Sequence, residues 1–177
     1  MNAPTAFRQQ LIATIPRLRR YARSLVFDAS DADDMVQTAL ERALAHWHQF
    51  DQRRDILVWV ISIAHNAYMD ERRRLGHVNS VEPQDLQDGP DAPTVHTSDP
   101  GLRLDLLSAL QRLSVEQREP LLLVTLEQLS YAECAEVLRI PIGTVMSRVS
   151  RGRTALRALL DGHGPTPTGT RSLRRVV

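Results

Sequence analysis

The sequence predicts an all-α protein made of two small helical domains joined by a flexible acidic linker. Three observations support this prediction. Apolar residues recur at three- and four-residue steps toward both ends of the chain. The low number of glycines, eight, and the low aromatic content, 5%, argue against a strand-rich fold. Proline and glycine collect between residues 75 and 100, where the apolar content falls sharply.

The N-terminal domain is predicted over residues 7–74. Pro16 interrupts its first apolar stripe, which predicts that one helix ends near Thr14 and another begins there, because proline is tolerated only in the first turn of a helix. Ser30, with an acidic residue three positions later, has the spacing of a capping box for the next helix. Asp55 is a candidate N-cap for a third helix, which continues the apolar pattern through residue 68 and ends in a run of arginines.

The C-terminal domain is predicted to be helical over residues 101–160. Ser114 and Gln117 have the spacing of a capping box, so a helix is expected to begin there. Pro120 lies awkwardly inside this segment. The helix is therefore expected either to begin later or to bend at the proline.

The end of this domain has the proportions of a helix-turn-helix. Ser130 and Glu133 form a capping box for a short helix, a turn passes through Arg139, and a longer helix covers residues 142–160. This turn usually takes glycine at positive φ, so Arg139 costs about 1–2 kcal/mol and counts against the motif. The outward face of the last helix carries donors suited to base edges and phosphates, namely Ser147, Ser150, Arg151 and Thr154, flanked by Arg148 and Arg153. On this evidence alone, a helical hairpin with a solvated arginine face is an equal alternative.

Charge is unevenly distributed along the chain, although the net charge of the 177 residues is only +1. The linker at residues 75–100 carries acidic residues and no arginine, whereas both flanking domains are mildly basic. Every basic residue is arginine, which suits bidentate recognition of phosphate and guanine, although a GC-rich genome gives the same bias. Residues 161–177 are predicted to form a disordered basic tail.

Several classes of protein are not expected. The one cysteine, Cys134, excludes a disulfide scaffold and a cysteine-based zinc site. No apolar run is long enough to cross a membrane and the N-terminus lacks a signal sequence, so the protein is expected in the cytoplasm. His46 and His48 point apart on a helix, and His65 and Cys134 are isolated in the sequence from other reactive groups. No cofactor, no metal and no enzymatic activity are therefore expected.

Segments of both domains resemble the sigma-70 family of RNA polymerase sigma factors. Region 2 of that family is similar to residues 31–38 (DADDMVQT), 59–66 (WVISIAHN) and 70–73 (DERR). Region 4 is similar to residues 130–133 (SYAE) and 141–153 (PIGTVMSRVSRGR). Because only a short linker separates the two regions, the chain resembles the extracytoplasmic-function (ECF) sigma factors over roughly residues 7–160. Residues 15–23 (IPRLRRYAR) are also similar to the general-stress subgroup.

The resemblance implies an alternative sigma factor that binds core RNA polymerase and directs promoter-specific initiation. Core binding is expected on the acidic face of the second helix, at Asp33, Asp34, Gln37 and Glu41. The −10 element is expected to contact Arg53, Arg54, Asn66, Arg72, Arg73 and Arg74. The −35 element is expected to contact Thr144, Ser147, Arg148, Ser150, Arg151 and Arg153. The other implied partner is an anti-sigma factor.

Alternatives remain for the protein and for individual residues. A conventional helix-turn-helix regulator would bind DNA without core polymerase and would not need the acidic face, which is then an ordinary solvated surface. The acidic linker is expected to enter the polymerase cleft or merely to improve solubility. Trp59 is interpreted as a core residue rather than a base-stacking platform. Relatives often carry glycine or serine where this chain has Arg53 and its neighbours, which leaves the −10 preference open.

Overall fold

The computed structural model describes residues 3–76 and 100–162. These residues form helices and no strand, which confirms the predicted all-α class. The helices are α1 (Thr5–Val26), α2 (Ala29–Ala45), α3 (Ile56–Gly76), α4 (Pro100–Arg112), α5 (Val115–Thr125), α6 (Tyr131–Leu138) and α7 (Ile142–Leu160), with a 3₁₀ turn at Trp47–Gln49. Apart from its ends, the predicted linker at 75–100 lies outside the described residues, as does the tail after residue 162. No described helix is long and apolar enough to span a bilayer.

The predicted break near Thr14 is wrong, because α1 runs without interruption through Pro16. Leu11 and Leu18 lie on either side of the proline and are both buried in one core. Pro16 and Ile12 are exposed, so the carbonyl that the proline cannot pair faces the solvent side of the helix. Burial of the apolar stripe on the opposite face therefore outweighs the local cost of the proline.

The predicted Ser30 cap of α2 is also wrong. Asp28 is the N-cap, and its side chain accepts a hydrogen bond from the backbone N–H of Asp31. Phe27, just before it, ends α1 in the left-handed conformation at φ 63°. The tight connection between the two helices therefore places the cap two residues earlier than the capping-box spacing predicts.

The predicted cap of α3 is confirmed. The carboxylate of Asp55 accepts a hydrogen bond of 2.7 Å from the backbone N–H of Leu57. Trp59 packs on Phe50 and Phe7, with ring centroids 5.2 and 6.1 Å away, as expected for a residue at the edge of the core. The loop before α3 is thereby held against a fixed aromatic cluster.

The helix α5 differs in detail from its prediction. Ser114 is at the N-cap position, but its side chain makes no capping hydrogen bond, so the predicted box with Gln117 does not form. The helix starts at Val115 and contains Pro120, which excludes the later start. Pro120 is fully buried, and burial among the leucines that follow it compensates for the lost backbone hydrogen bond.

The helix-turn-helix is present as predicted. Ser130 and Glu133 form both hydrogen bonds of the capping box at the start of α6. This pairing lowers the pKa of the Glu133 carboxyl, because the Ser130 hydroxyl and backbone N–H donate to it. Arg139 occupies the left-handed position at φ 54°, and α7 follows over the predicted residues. The motif forms despite the non-glycine residue in its turn.

Replacing Arg139 with glycine is expected to stabilise the protein by about 1 kcal/mol. Glycine removes a left-handed strain of about 1–2 kcal/mol, and the added freedom of the unfolded chain cancels about half of that gain. Urea denaturation of Arg139→Gly against the parent measures the difference. A lower midpoint for the glycine variant would contradict the strain assigned to this turn.

The two halves of the protein pack against each other. Helix α1 contacts α5, and α3 contacts α6. Buried apolar side chains from residues 3–76 and from residues 100–162 form one shared cluster that includes Leu18, Ile61, Leu123 and Val137. The contact between the halves also contains buried polar groups, among them Glu119 and Glu127.

Candidate nucleic-acid interface

The outward face of α7 carries the predicted −35 residues. Ser147, Ser150, Arg151 and Arg153 are exposed, whereas Thr144 is half-buried. The Nε atom of Arg151 donates to the carbonyl of Ser147 over 3.3 Å, and its Nη2 lies 3.5 Å from the Ser147 hydroxyl. The structure therefore brings Ser147 and Arg151 together on one line of the helix, with Val145 and Val149 buried on the opposite face.

Arg148 differs from the other candidates on α7. Its guanidinium group pairs with Glu116 of α5 at 3.2 Å, and its side chain is only 23% exposed. This places Arg148 toward the side of the helix, beside the rest of the C-terminal half. Such a position suits a contact with the DNA backbone more than a contact with a base edge.

Gly152 has a role that the sequence analysis missed. A Cβ atom at this position would lie 3.0 Å from the backbone carbonyl oxygen of Gln117 in α5. Helix α7 therefore packs so closely on α5 that a side chain at position 152 would require the Gln117 backbone to shift by a few tenths of an ångström. The signal in the sequence was a glycine inside a long helical pattern, which usually marks close packing.

The predicted −10 residues are distributed along α3 rather than gathered in one place. Arg53 and Arg54 precede the helix, Asn66 is half-buried in its middle, and the arginines of residues 72–74 are exposed near its end. Residues 56 and 73 are about 25 Å apart at the helical rise. Arg72 stacks on the Tyr68 ring, with its guanidinium carbon 5.8 Å from the centroid. This spread along α3 suits contact with an extended DNA strand better than contact with a single base.

The loop before α3 faces the C-terminal half. A cavity of about 260 Å³ lies beside it, lined on one side by residues of the loop and α3 and on the other by Glu133, Glu136 and Val137 of α6. The side chain of Arg54 forms an ion pair with Glu136 across this gap. Arg53 is exposed, and its backbone N–H donates to Asp51.

The predicted polymerase-binding residues share an outward face of α2. Asp34, Gln37 and Glu41 are exposed, and Gln37 donates to Glu41 over 2.9 Å. Asp33 is half-buried and pairs with Arg19 at 3.0 Å and with Arg23 at 3.8 Å. The exposed part of this surface is therefore Asp34, Gln37 and Glu41, which we call the acidic face of α2.

The side chains of Cys134 and His65, which were considered for catalysis, are both buried in the fold. Burial raises the pKa of the Cys134 thiol to about 12, so the thiolate needed for nucleophilic chemistry is scarce at neutral pH. The prediction that His65 is isolated is wrong, because its Nδ1 lies 2.6 Å from the carboxylate of Glu119. In the described part of the chain, no cluster of His, Cys, Asp and Glu could hold a metal ion.

Two family models match the chain. The model for region 4 of sigma-70 matches residues 103–156, and the model for the Sigma2 domain of PhyR matches residues 11–65. Among curated proteins, the ECF RNA polymerase sigma factor EcfG of Rhodopseudomonas palustris is 35% identical, over 100% of this chain and 97% of its own. The ECF sigma factor SigL of Mycobacterium tuberculosis is 36% identical, over 84% of this chain and 85% of its own.

Solved structures that are similar to this chain include a sigma factor. The sigma factor RpoE of Bartonella quintana, in complex with the anti-sigma factor NepR, has a TM-score of 0.77 and is 30% identical, covering 89% of this chain and 98% of its own. CnrH, in complex with the cytosolic domain of CnrY, has a TM-score of 0.63 and 27% identity, covering 89% of this chain and 88% of its own. A helical half that ends in a helix-turn-helix, joined to a region 2-like half, defines a sigma-70-type transcription initiation factor. The chain belongs to the extracytoplasmic-function family of RNA polymerase sigma factors.

Proposed function

We propose that this chain binds core RNA polymerase through the acidic face of α2 and directs it to promoters with matching −10 and −35 elements. One observation carries this proposal. Asp34, Gln37 and Glu41 are exposed in a row on α2, whereas the neighbouring carboxylate of Asp33 forms an ion pair with Arg19 of the same chain. A regulator that bound only DNA would have no use for such a row. The alternative of a conventional helix-turn-helix regulator is therefore not favoured.

The acidic face suits a basic helical surface on core polymerase. Carboxylates that meet arginine or lysine side chains make charge-assisted hydrogen bonds that fix orientation. The amide of Gln37 adds a neutral donor and acceptor within the same row. Complementary charge also speeds association and disfavours wrong partners.

The two DNA elements are assigned to different halves. The arginines of the loop before α3 and of residues 72–74, with Asn66 between them, would hold the opened −10 strand. The exposed line of α7 would enter the major groove at the −35 element, where Ser147 and Arg151 contact base edges. Thr144, Arg148 and Arg153 would contact phosphates, with Ser150 as a further base contact.

Regulation and location follow from this function. An anti-sigma factor is the proposed regulatory partner, because the similar sigma factor RpoE of Bartonella quintana was solved in complex with the anti-sigma factor NepR. Work on RNA polymerase would place the protein in the cytoplasm, without insertion in a membrane. We propose that the chain itself has neither a catalytic activity nor a cofactor, because the polymerase would carry out the chemistry of RNA synthesis.

The −35 assignment predicts that Arg151→Ala and Arg148→Ala fail in different ways. Loss of a base contact at Arg151 is expected to cost about 1–3 kcal/mol of binding free energy at one −35 position and to relax the base preference there. Loss of Arg148 is expected to weaken binding to all −35 sequences about equally. It should also lower the slope of log affinity against log salt concentration by about one unit.

Transcription by reconstituted holoenzyme distinguishes the two losses. Promoters mutated singly across the −35 element are tested at two salt concentrations with each variant. Glu116→Gln serves as a control for Arg148, because it removes the ion-pair partner and leaves the guanidinium group in place. Equal, sequence-independent losses for both arginine variants would contradict the assignment of Arg151 to a base edge.

A further inference from the structure

The first half of α7 exposes two large apolar side chains. Ile142 is 49% exposed and Met146 is 52% exposed, and neither belongs to the core cluster or to the side chains packed against it. They lie four residues apart, so their side chains are neighbours on one face of the helix. A single exposed apolar side chain is common on protein surfaces, whereas a neighbouring pair on one helix face is more typical of a contact surface.

The pair lies beside the residues of α7 that are proposed to read the −35 element. Ser150 follows Met146 by four residues and therefore continues the line that Ile142 and Met146 begin. Ser147 directly follows Met146 and begins the neighbouring line, which continues to Arg151. The apolar pair is therefore continuous with the exposed polar surface that would face the bases.

Both side chains also lie near the end of α7 that reads bases in this motif. In a helix-turn-helix, residues toward the N-terminus of the second helix contact base edges. Ile142 is the first residue of α7 and Met146 is the fifth. Leu160, which is also apolar and exposed, is the last residue and lies about 21 Å from Met146 at the helical rise. Entry of α7 into the groove by its N-terminal half would bring the pair, but not Leu160, to the bases.

Thymine is the base whose exposed edge suits an apolar side chain. Its C5-methyl group projects into the major groove, where the other distinguishing groups of the base pairs are hydrogen-bond donors and acceptors. Isoleucine has no polar atom and the methionine sulfur is only a weak acceptor, so neither could satisfy those groups. Contact with a methyl group instead removes apolar surface from water on both partners. The unbranched methionine side chain can also adapt its shape to the methyl group.

We propose that Met146, with Ile142 beside it, reads thymine methyl groups in the −35 element. The hydrogen-bonding side chains of α7 read donors and acceptors, and the apolar pair adds a preference for thymine over cytosine at the positions that it contacts. Met146 is thereby a specificity-determining residue. This proposal rests on the proposed function of α7 at the −35 element.

The test removes the methyl group and leaves the base pair in place. Holoenzyme is assembled from core polymerase and the full-length chain, and a promoter is selected from fragments with a randomised −35 element. Each thymine of the selected element, on either strand, is then replaced singly by deoxyuridine. The holoenzyme concentration that gives half-maximal transcription is measured for the parent, Met146→Ala and Ile142→Ala.

Two further variants serve as controls. Met146→Leu keeps an apolar side chain at the same position, and Leu160→Ala removes an exposed apolar side chain from the far end of the same helix. All of the substituted side chains are exposed, so the variants should fold as the parent does.

For the parent, deoxyuridine at one or two positions is expected to weaken promoter use roughly threefold to fivefold, the effect of one buried methyl group. Met146→Ala should lose at least as much on the thymine promoter and should lose nothing further with deoxyuridine at the contacted position. Ile142→Ala should reduce the deoxyuridine effect in the same way at a neighbouring position. Met146→Leu should keep the deoxyuridine effect, and Leu160→Ala should match the parent throughout.

Three outcomes would overturn the proposal. One is a deoxyuridine effect in Met146→Ala and Ile142→Ala that equals that of the parent, and another is a parent that responds to deoxyuridine at no position. The third is weaker binding of Met146→Ala to core polymerase without DNA, together with an unchanged deoxyuridine effect, which would assign the pair to a protein contact. A parent holoenzyme that responds to no base change in the −35 element would contradict the proposed function of α7 as well.

Discussion

Asp34→Arg is expected to abolish binding to core polymerase while leaving the fold intact. Asp34 is exposed on the acidic face of α2, so a change there should alter the free energy of unfolding by less than about 0.5 kcal/mol. Like charges brought together in an interface cost several kcal/mol, which corresponds to a loss of affinity of about 100-fold or more. Gln37→Arg is expected to have the same effect. Binding of the labelled chain to purified core polymerase measures both.

The control for these variants is Gln10→Arg. It places the same arginine at an exposed glutamine of α1, on a different helix from the acidic face. Its affinity for core polymerase should equal that of the parent. Unchanged affinity in both Asp34→Arg and Gln37→Arg would show that polymerase docks elsewhere.

Gly152→Val is expected to destabilise the C-terminal half by about 3 kcal/mol and to eliminate transcription that depends on the −35 element. The Cβ atom alone would lie 3.0 Å from the Gln117 carbonyl oxygen, and valine adds two methyl groups to that atom. Backbone in a packed helix cannot move far, so the cost falls at the upper end for an overpacked site. Urea denaturation and transcription from a −35-dependent promoter measure the two effects.

Gly143 offers a matched control on the same helix. A Cβ atom there meets nothing within 4 Å, so Gly143→Val should change the free energy of unfolding by less than about 1 kcal/mol. A similar loss of stability in both valine variants would mean that the β-branched side chain in a helix, and not the contact with α5, determines the result. Tolerance of valine at position 152 would contradict the close packing of α7 on α5.

Local signals in the sequence were sufficient for the helix-turn-helix. The capping box of Ser130 and Glu133, the turn through Arg139 and the apolar period of α7 act within a few residues of each other, so the predicted range of α7 matches the structure. Local reasoning failed at Pro16, where burial of Leu11 and Leu18 in the tertiary core prevails over the preference of the proline. It also failed at Ser30, because Asp28 offered a competing cap.

The contact between the halves could not be predicted from local patterns. The hydrogen bonds from Arg20 to Glu127 span 107 residues, and no periodicity connects the two positions. Weak signals existed, since Arg17 and Arg20 lie beside an apolar stripe and Glu127 follows a run of leucines. Such residues have no obvious partner in the sequence, and only the folded chain supplies one. The ion pair between Arg54 and Glu136, 82 residues apart, could not be predicted from local patterns either.

The most direct test of the proposed function is run-off transcription with core polymerase on linear genomic DNA, with and without the chain, followed by mapping of the RNA 5′ ends. We expect new start sites that depend on the chain and share −35 and −10 sequences at fixed spacing upstream. Asp34→Arg should remove every one of these sites. Start sites identical to those of core polymerase alone, together with tight promoter binding by the isolated chain, would contradict the account and favour a conventional DNA-binding regulator.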